Sequence, residues 1–262
     1  MAIKMGQAAR KLYWIISEQC GIDPRKAFHS LQGIPRYLRD LRRFRSGYRG
    51  RFDLTPCLHD WYAESGATSN EYFWQDLVVA RMVFTAAPRK HVDIGSRVDG
   101  FVAHVACFRE VEVFDVRPIS ASIPGVIFKQ ADLMKPVEGL SDYCDSLSCL
   151  HALEHFGLGR YGDPIDPLGY KAGFSSMAAL LRAGGTFYLA LPVGVERVEF
   201  NANRVFDPAT IIQLGLENGL HLQEFLLHTE AGGMRRIDPT ASTIATIAKS
   251  RYGLGLFVFV KQ

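Results

Sequence analysis

His151-Ala-Leu-Glu154-His155 brings two imidazoles and a carboxylate into one short segment. Histidine titrates near neutrality, so it suits proton abstraction from a hydroxyl, and a neighbouring carboxylate can orient it or bind hydroxyls. His155 is therefore the candidate general base, with Glu154 as its orienting or hydroxyl-binding partner, and Tyr161 follows as a candidate acceptor contact. The spacing His-x-x-Glu-His also matches a zinc-protease helix, in which both histidines share one helical turn. Here His151 leaves an apolar strand directly, and Gly157 and Gly159 interrupt any helix, so zinc hydrolysis is set aside. No metal ligand set is assigned, although Asp163 or Asp166 with an acceptor diol leaves a magnesium-type ion open.

A second constellation is Asp93-Ile94-Gly95-Ser96-Arg97-Val98-Asp99-Gly100. A glycine at the end of a buried strand lets a cofactor approach the backbone, and the turn opens a helix whose free N–H groups face it. A dinucleotide fingerprint would read Gly-x-Gly-x-x-Gly, with the pyrophosphate on the helix N-terminus. The spacing here is Gly95-x4-Gly100, and Asp93 and Asp99 would repel phosphates but can pair with an ammonium. The pattern suits an amino-acid tail better than a pyrophosphate. Asp115, ending the next strand, can accept from ribose hydroxyls, as acids do in dinucleotide folds too. Asp132, in Gln-Ala-Asp-Leu133 after a third strand, stands where an acceptor can read an adenine amino group, or serves as a turn cap.

A third constellation, Pro192 to Phe206, interleaves Arg197, Asn201 and Arg204 with Glu196, Glu199 and Phe200. Such a surface suits hydroxyls, carboxylates or phosphates, and equally suits a salt-bridged loop.

Regular alternation must position these groups. An amphipathic helix is expected over 6–19 and another over 70–84, opened by Ser69 or Asn70. Strands follow at Lys90–Ile94, Val111–Phe114, Val126–Lys129, Ser146–Leu150 and Thr186–Leu191. Helices over Gly100–Cys107, Tyr170–Arg182 and Pro208–Asn218 come between or after them, the second closed by Gly184-Gly185. Strands Leu222–His228 and Leu256–Val260 form an antiparallel edge pair around a polar insertion, 230–252. Strand and helix in alternation imply an α/β, doubly wound, mostly parallel sheet.

Charge is unevenly placed. Residues 1–51 carry 12 Lys/Arg and 3 Asp/Glu, a net +9, whereas the rest of the chain is −6. This basic part, taken as a helical extension over 1–68 ahead of a domain over 69–262, fits an anionic partner, an anionic membrane surface included, or a solvated helix face. No RNA-binding module is recognisable, which argues against nucleic acid. The 5 cysteines lack any Cys-x-x-Cys pair and read as reduced and mostly buried. No apolar run reaches the roughly 20 residues of a membrane span, and the start lacks a signal-peptide pattern, so the expected address is cytoplasmic, with peripheral attachment to the inner face of the membrane open.

Taken in order, Asp93-Ile-Gly-Ser, Phe-Asp115, Ala-Asp132-Leu, Leu-Glu154-His155 and Leu-Arg-Ala-Gly-Gly-Thr186 resemble the successive motifs of class I S-adenosylmethionine (SAM)-dependent methyltransferases. The resemblance covers about residues 90–262. It implies a Rossmann-like seven-stranded sheet, SAM as cofactor with S-adenosylhomocysteine as product, and a cofactor site of Asp93, Gly95, Ser96, Arg97, Asp115, Val116, Asp132, Leu133 and His151. Segments 71–76, 91–96, 151–163 and 200–206 further resemble a methyltransferase-like family associated with surface-polysaccharide genes, which implies O-methylation of a saccharide with Tyr161, Arg197, Asn201 and Arg204 contacting it. A small metabolite, a lipid or RNA as acceptor, a non-catalytic scaffold and a homo-oligomer remain alternatives.

Overall fold

The computed structural model describes residues 7–262 apart from 64, 67, 69, 138 and 229–232. The chain divides into two compact units, Met1–Ala67 and Thr68–Gln262.

In the first unit, α1 (Gln7–Trp14) widens into a further turn to Gln19. α2 (Pro24–Gly47) opens where the Asp23 side chain accepts from the N–H groups of Arg25 and Lys26 and proline takes the first turn. It absorbs most of the basic segment 34–51. Leu31, Ile34 and Leu38, spaced along one face of α2, are 68%, 39% and 43% exposed, an unusual exposure for a helical apolar stripe. No helix among the described residues is long and apolar enough to cross a membrane.

The second unit begins with α3 (Glu71–Ala86), capped by Asn70, whose side chain accepts from Tyr72 N–H at 2.9 Å; Ser69 lies outside the described residues. Asp76, Val79, Ala80 and Val83 recur at helical spacing and are its buried face. There follow β1 (His91–Ile94), α4 (Ala103–Ala106), β2 (Val111–Asp115), β3 (Val126–Gln130), β4 (Cys144–Leu150), α5 (Gly169–Leu180) and β5 (Leu181–Val193). A short hairpin, β6 (Arg197–Glu199) and β7 (Asn203–Val205), precedes α6 (Pro208–Glu217), β8 (Leu220–His228), β9 (Met234–Ile237), α7 (Ala241–Ile247) and β10 (Gly253–Lys261).

The sheet has 8 strands in the order β3-β2-β1-β4-β5-β10-β8-β9, one more than the expected seven. The additional strand is β9, which pairs antiparallel with Phe225–His228 inside the segment expected to be an irregular insertion. The same segment also folds α7. The expected antiparallel pairing of β8 with β10 is present. α5 ends at Leu180, two residues before the expected end, because Leu181 is already extended and runs into β5. Three of the 5 cysteines, Cys20, Cys57 and Cys107, are exposed, against the expectation that most are buried.

Two apolar layers cover the sheet. Along β10, Leu254, Leu256 and Val258 join α3 and α4 in one layer, while Phe257 and Phe259 join α5, α6 and α7 in the other. This alternation is the two-residue period of a strand buried on both sides. Each fully buried Phe contributes about 1.5–3 kcal/mol relative to exposure, so the layers hold the strand ends rigidly. Strand order reverses between β1 and β4, and a crevice opens there at the carboxyl ends, the usual ligand position in doubly wound sheets.

Candidate active site

The crevice is a cleft of about 820 Å³, open to solvent, between the turns that leave β1, β2, β3 and β4. Its floor is the Gly95 turn. Gly95 has φ +67°, and a Cβ there would stand 2.9 Å from the Cβ of Ala152, so only glycine leaves both the backbone and the cleft free.

Asp93 and Ser96 shape this turn from behind and do not line the cleft. The Asp93 carboxylate is fully buried and accepts from Ser96 N–H at 3.0 Å, Ser96 Oγ at 2.6 Å and Ser148 Oγ at 2.5 Å. Ser96 Oγ in turn accepts from Leu150 N–H at 3.1 Å, tying the turn to the end of β4. Burial outweighs these donors and pushes the Asp93 pKa up to about 7. A cofactor contact from either side chain, as the motif implies, is replaced by a brace between two strands.

Gly95, Arg97, Asp115, Val116, Asp132, Leu133 and His151 of the implied cofactor set do line the cleft, as do His155 and Tyr161. Arg97 is engaged by Asp99 through two bonds, at 3.1 and 2.8 Å. Asp115 is engaged by Arg117, whose backbone and guanidinium donate to it at 2.8, 3.1 and 2.8 Å. Asp132 caps a turn with Oδ1, which accepts from Met134 N–H at 3.0 Å. Ile94, Phe114, Leu133 and Met134 supply apolar walls.

His151 stands at φ +53°, a left-handed conformation that costs a non-glycine residue on the order of 1–3 kcal/mol and concentrates at functional sites. Its Nδ1 is 2.7 Å from Glu154 Oε1 and its Nε2 3.6 Å from Glu71 Oε1. Burial opposes the imidazolium, but Glu154, Glu71 and Asp76 together raise its pKa. Burial likewise opposes the Glu154 carboxylate, and His151 with His155 lowers its pKa. The two residues form a buried ion pair under the Tyr72 ring, 4.5 Å away. Among the described residues, His151 Nε2 and Glu154 Oε2 are buried without a hydrogen-bond partner.

His155 is oriented differently from the sequence expectation. Its Nδ1 lies 2.7 Å from the carbonyl oxygen of Ala202, while Glu154 Oε1 is 3.8 Å from Nε2, beyond hydrogen-bond range. A carbonyl only accepts, so Nδ1 carries the proton and Nε2 the lone pair. Burial lowers the His155 pKa, with Arg160 and His151 adding to the effect, and the ring is neutral at physiological pH. Glu154 thus orients His151, and the β6–β7 hairpin orients His155.

The remaining expected acceptor contacts lie elsewhere. Arg204 is buried and donates to the carbonyls of Glu154, Phe156 and Pro167 at 3.3, 2.6 and 3.2 Å, clamping the loop after β4. Arg197 is engaged with Glu199 and with the carbonyls of Val195 and Arg251. Asn201 is exposed at the hairpin tip. Asp163 accepts from the N–H groups of Gly157, Gly159 and Tyr161, so its oxygens fold the loop. No metal-binding cluster occurs among the described residues.

Tyr72, Arg117 and Arg160 also line the cleft, although the sequence assigned none of them a role; Tyr72 and Arg160 fall inside the resembling segments 71–76 and 151–163, and Arg117 falls in no motif. Tyr72 lies in the first turn of α3, and the arginines follow Asp115 and precede Tyr161 by one or two residues. For Arg117, adjacency to Asp115 was the only signal.

Residues 126–219 match a family model described as "Caenorhabditis protein of unknown function, DUF268". No curated protein matches the sequence. Among solved structures, the chain is similar to a TehB-like SAM-dependent methyltransferase from Corynebacterium glutamicum, with TM-score 0.50 and 15% identity over 72% of this chain and 88% of that one. It is also similar to the YcgJ protein from Bacillus subtilis, with TM-score 0.50 and 13% identity over 72% of this chain and 98% of that one. With its strand order, its Gly95 turn and its acids at successive strand ends, the chain has the Rossmann-like fold of the class I SAM-dependent methyltransferases.

Proposed function

We propose that the chain is a SAM-dependent methyltransferase that methylates a hydroxyl of a saccharide, with His155 as general base. The observation that carries this reading is the position of His155: a neutral imidazole, locked by Ala202, on the same cleft as the Gly95 turn. The cleft fits the cofactor. Gly95 leaves a backbone cradle that any Cβ would fill, the apolar walls suit an adenine, and Asp115 and Asp132 offer acceptors. Arg117 must exchange with a ribose diol for Asp115 to bind it.

SAM supplies an electrophilic methyl group on a sulfonium. The chain's own residues do the rest. Arg97, Tyr72 and the Gly95 turn would hold the amino-acid tail, and the cleft would align donor and acceptor, where orientation contributes several kcal/mol. His155 Nε2 takes the hydroxyl proton, and general bases of this kind contribute roughly 10²- to 10⁴-fold in rate. Support for a saccharide acceptor comes from the resemblance of segments 151–163 and 200–206 to a family associated with surface-polysaccharide genes.

Calorimetry with SAM and S-adenosylhomocysteine tests the first part of this reading; absence of binding at millimolar ligand overturns it. Incubation with labelled SAM and an extract of surface glycans and their precursors, followed by mass spectrometry, tests the acceptor.

For the first unit, the proposal is attachment to an anionic membrane surface. The exposed stripe Leu31, Ile34 and Leu38, with Arg39, Arg42 and Arg43 exposed on the same helix α2, supports it. Co-sedimentation with anionic vesicles, weakened by salt and absent with zwitterionic ones, is the expected result.

A further inference from the structure

Three arginines line the cleft. Arg97 is engaged bidentately by Asp99 and Arg117 by Asp115, which neutralises both. Arg160 differs. Among the described residues it has no carboxylate within 4.0 Å, and one nitrogen donates to the Ala202 carbonyl at 2.8 Å while its plane packs over Tyr161, 5.2 Å from the ring centroid. Among the described residues, the other acids of the cleft form no ion pair with it. Asp163 is turned to three backbone N–H groups and Asp132 to one.

A guanidinium carries five N–H donors in a planar fork, and Arg160 uses one. The fork is held in place by a ring below and a carbonyl behind, so little side-chain freedom is lost when it binds a ligand. Tyr161 also stands edge-on to His155, with centroids 5.3 Å apart and planes at 89°. The base and the free cation therefore flank one aromatic ring and share one carbonyl anchor.

We propose that the acceptor carries an anionic group, phosphate or carboxylate, which Arg160 binds while the neighbouring hydroxyl faces His155. The inference rests on the methyltransferase reading and narrows its substrate class. Bidentate guanidinium recognition of phosphate or carboxylate is the chemistry that fits a fixed fork with its remaining donors open. Arg160 is thereby a specificity-determining residue, and a neutral saccharide would leave its charge unanswered.

The test titrates the full-length protein with inorganic phosphate by calorimetry, with and without saturating S-adenosylhomocysteine, and then with glucose 6-phosphate, glucuronate and glucose. Phosphate should bind, and Arg160→Gln should weaken it by roughly tenfold or more, with Arg160→Lys in between. Glucose should bind more weakly than either charged sugar, and the preference between those two separates phosphate from carboxylate. Arg160 is exposed, so an unchanged thermal midpoint is expected in both variants. Equal phosphate affinity in the wild type and Arg160→Gln, or no phosphate binding at tens of millimolar, overturns the proposal. Failure to bind S-adenosylhomocysteine would overturn the methyltransferase reading instead, since that affinity is measured separately and does not depend on Arg160.

Discussion

His155 and Arg160 converge on a single backbone atom: the carbonyl oxygen of Ala202 lies 2.7 Å from the imidazole Nδ1 of one and 2.8 Å from the guanidinium of the other. The β6–β7 hairpin therefore sets both the tautomer of the base and the direction of the cation. Its influence on chemistry passes through a main-chain atom, and none of its side chains needs to touch an acceptor.

His155→Ala should cut the methyl-transfer rate by roughly 10²- to 10⁴-fold while leaving S-adenosylhomocysteine affinity intact. In the wild type, burial and the charges of Arg160 and His151 hold the His155 pKa below its ordinary 6.5. kcat should accordingly rise with pH through a value under 6.5 and be level above neutrality. Arg160→Gln removes one of the charges that lower this pKa, so the acid limb should move to higher pH. A profile unchanged between the two proteins would reassign the base.

The buried His151–Glu154 pair should show in stability against pH. The folded pKa of Glu154 lies below its ordinary 4.5, so its contribution is present above that value and is lost as pH falls through the folded pKa. The folded pKa of His151 lies above its ordinary 6.5, so its contribution is present below that value and is lost as pH rises through the folded pKa. The pair thus stabilises most between about 4.5 and 6.5. Denaturant unfolding should place the largest difference between the wild type and the His151→Gln/Glu154→Gln double variant in that window. Glu154→Gln alone strands a buried imidazolium and should cost about 3–5 kcal/mol. A smaller loss than that of the double variant would contradict the pairing.

Arg204 invites a direct comparison between a clamp and an acceptor ligand. Its donation to the carbonyls of Glu154, Phe156 and Pro167 holds the loop that carries His155 and Tyr161. Arg204→Met should lower stability by about 2–4 kcal/mol, since buried carbonyls lose a charged donor. Turnover should fall with it as the loop loosens. A raised KM for the acceptor with an unchanged thermal midpoint would return Arg204 to the acceptor site.

What was legible in the chain followed from position relative to strands. Gly95, Asp115, Asp132 and His151 each stand within a few residues of an apolar strand end, so the strand pattern alone brings them to one sheet edge. Arg117 was not legible, and Arg160, though inside segment 151–163, had no legible role, because a lone arginine in a loop has no period and its partner is fixed only by tertiary contact. Arg204 misled for the same reason: an arginine in a polar hairpin reads as a surface ligand, yet three carbonyls from sequence-distant residues draw it inside. Met234–Ile237 was missed as a strand because Arg235 and Arg236 occupy an edge position, where charge protects an otherwise open sheet. Asp93 fits the cofactor motif, and only the structure shows Ser96 and Ser148 taking both its oxygens.

Gly95→Ala tests whether the turn is a cradle or only a tight bend. Two costs are separable. The left-handed φ of +67° strains any Cβ-bearing residue, and the new methyl would stand 2.9 Å from the Cβ of Ala152. Together they should lower stability by about 1–3 kcal/mol. S-adenosylhomocysteine affinity should drop by about tenfold or more, since the methyl or the shifted turn occupies the cofactor's approach to the backbone. Adding Ala152→Gly removes the clash but not the strain, so thermal stability should recover only in part. If the cradle holds, calorimetry on the double variant should still find weakened binding. Full recovery of affinity would mean that the clash with Ala152, and not the approach to the Gly95 backbone, had controlled it.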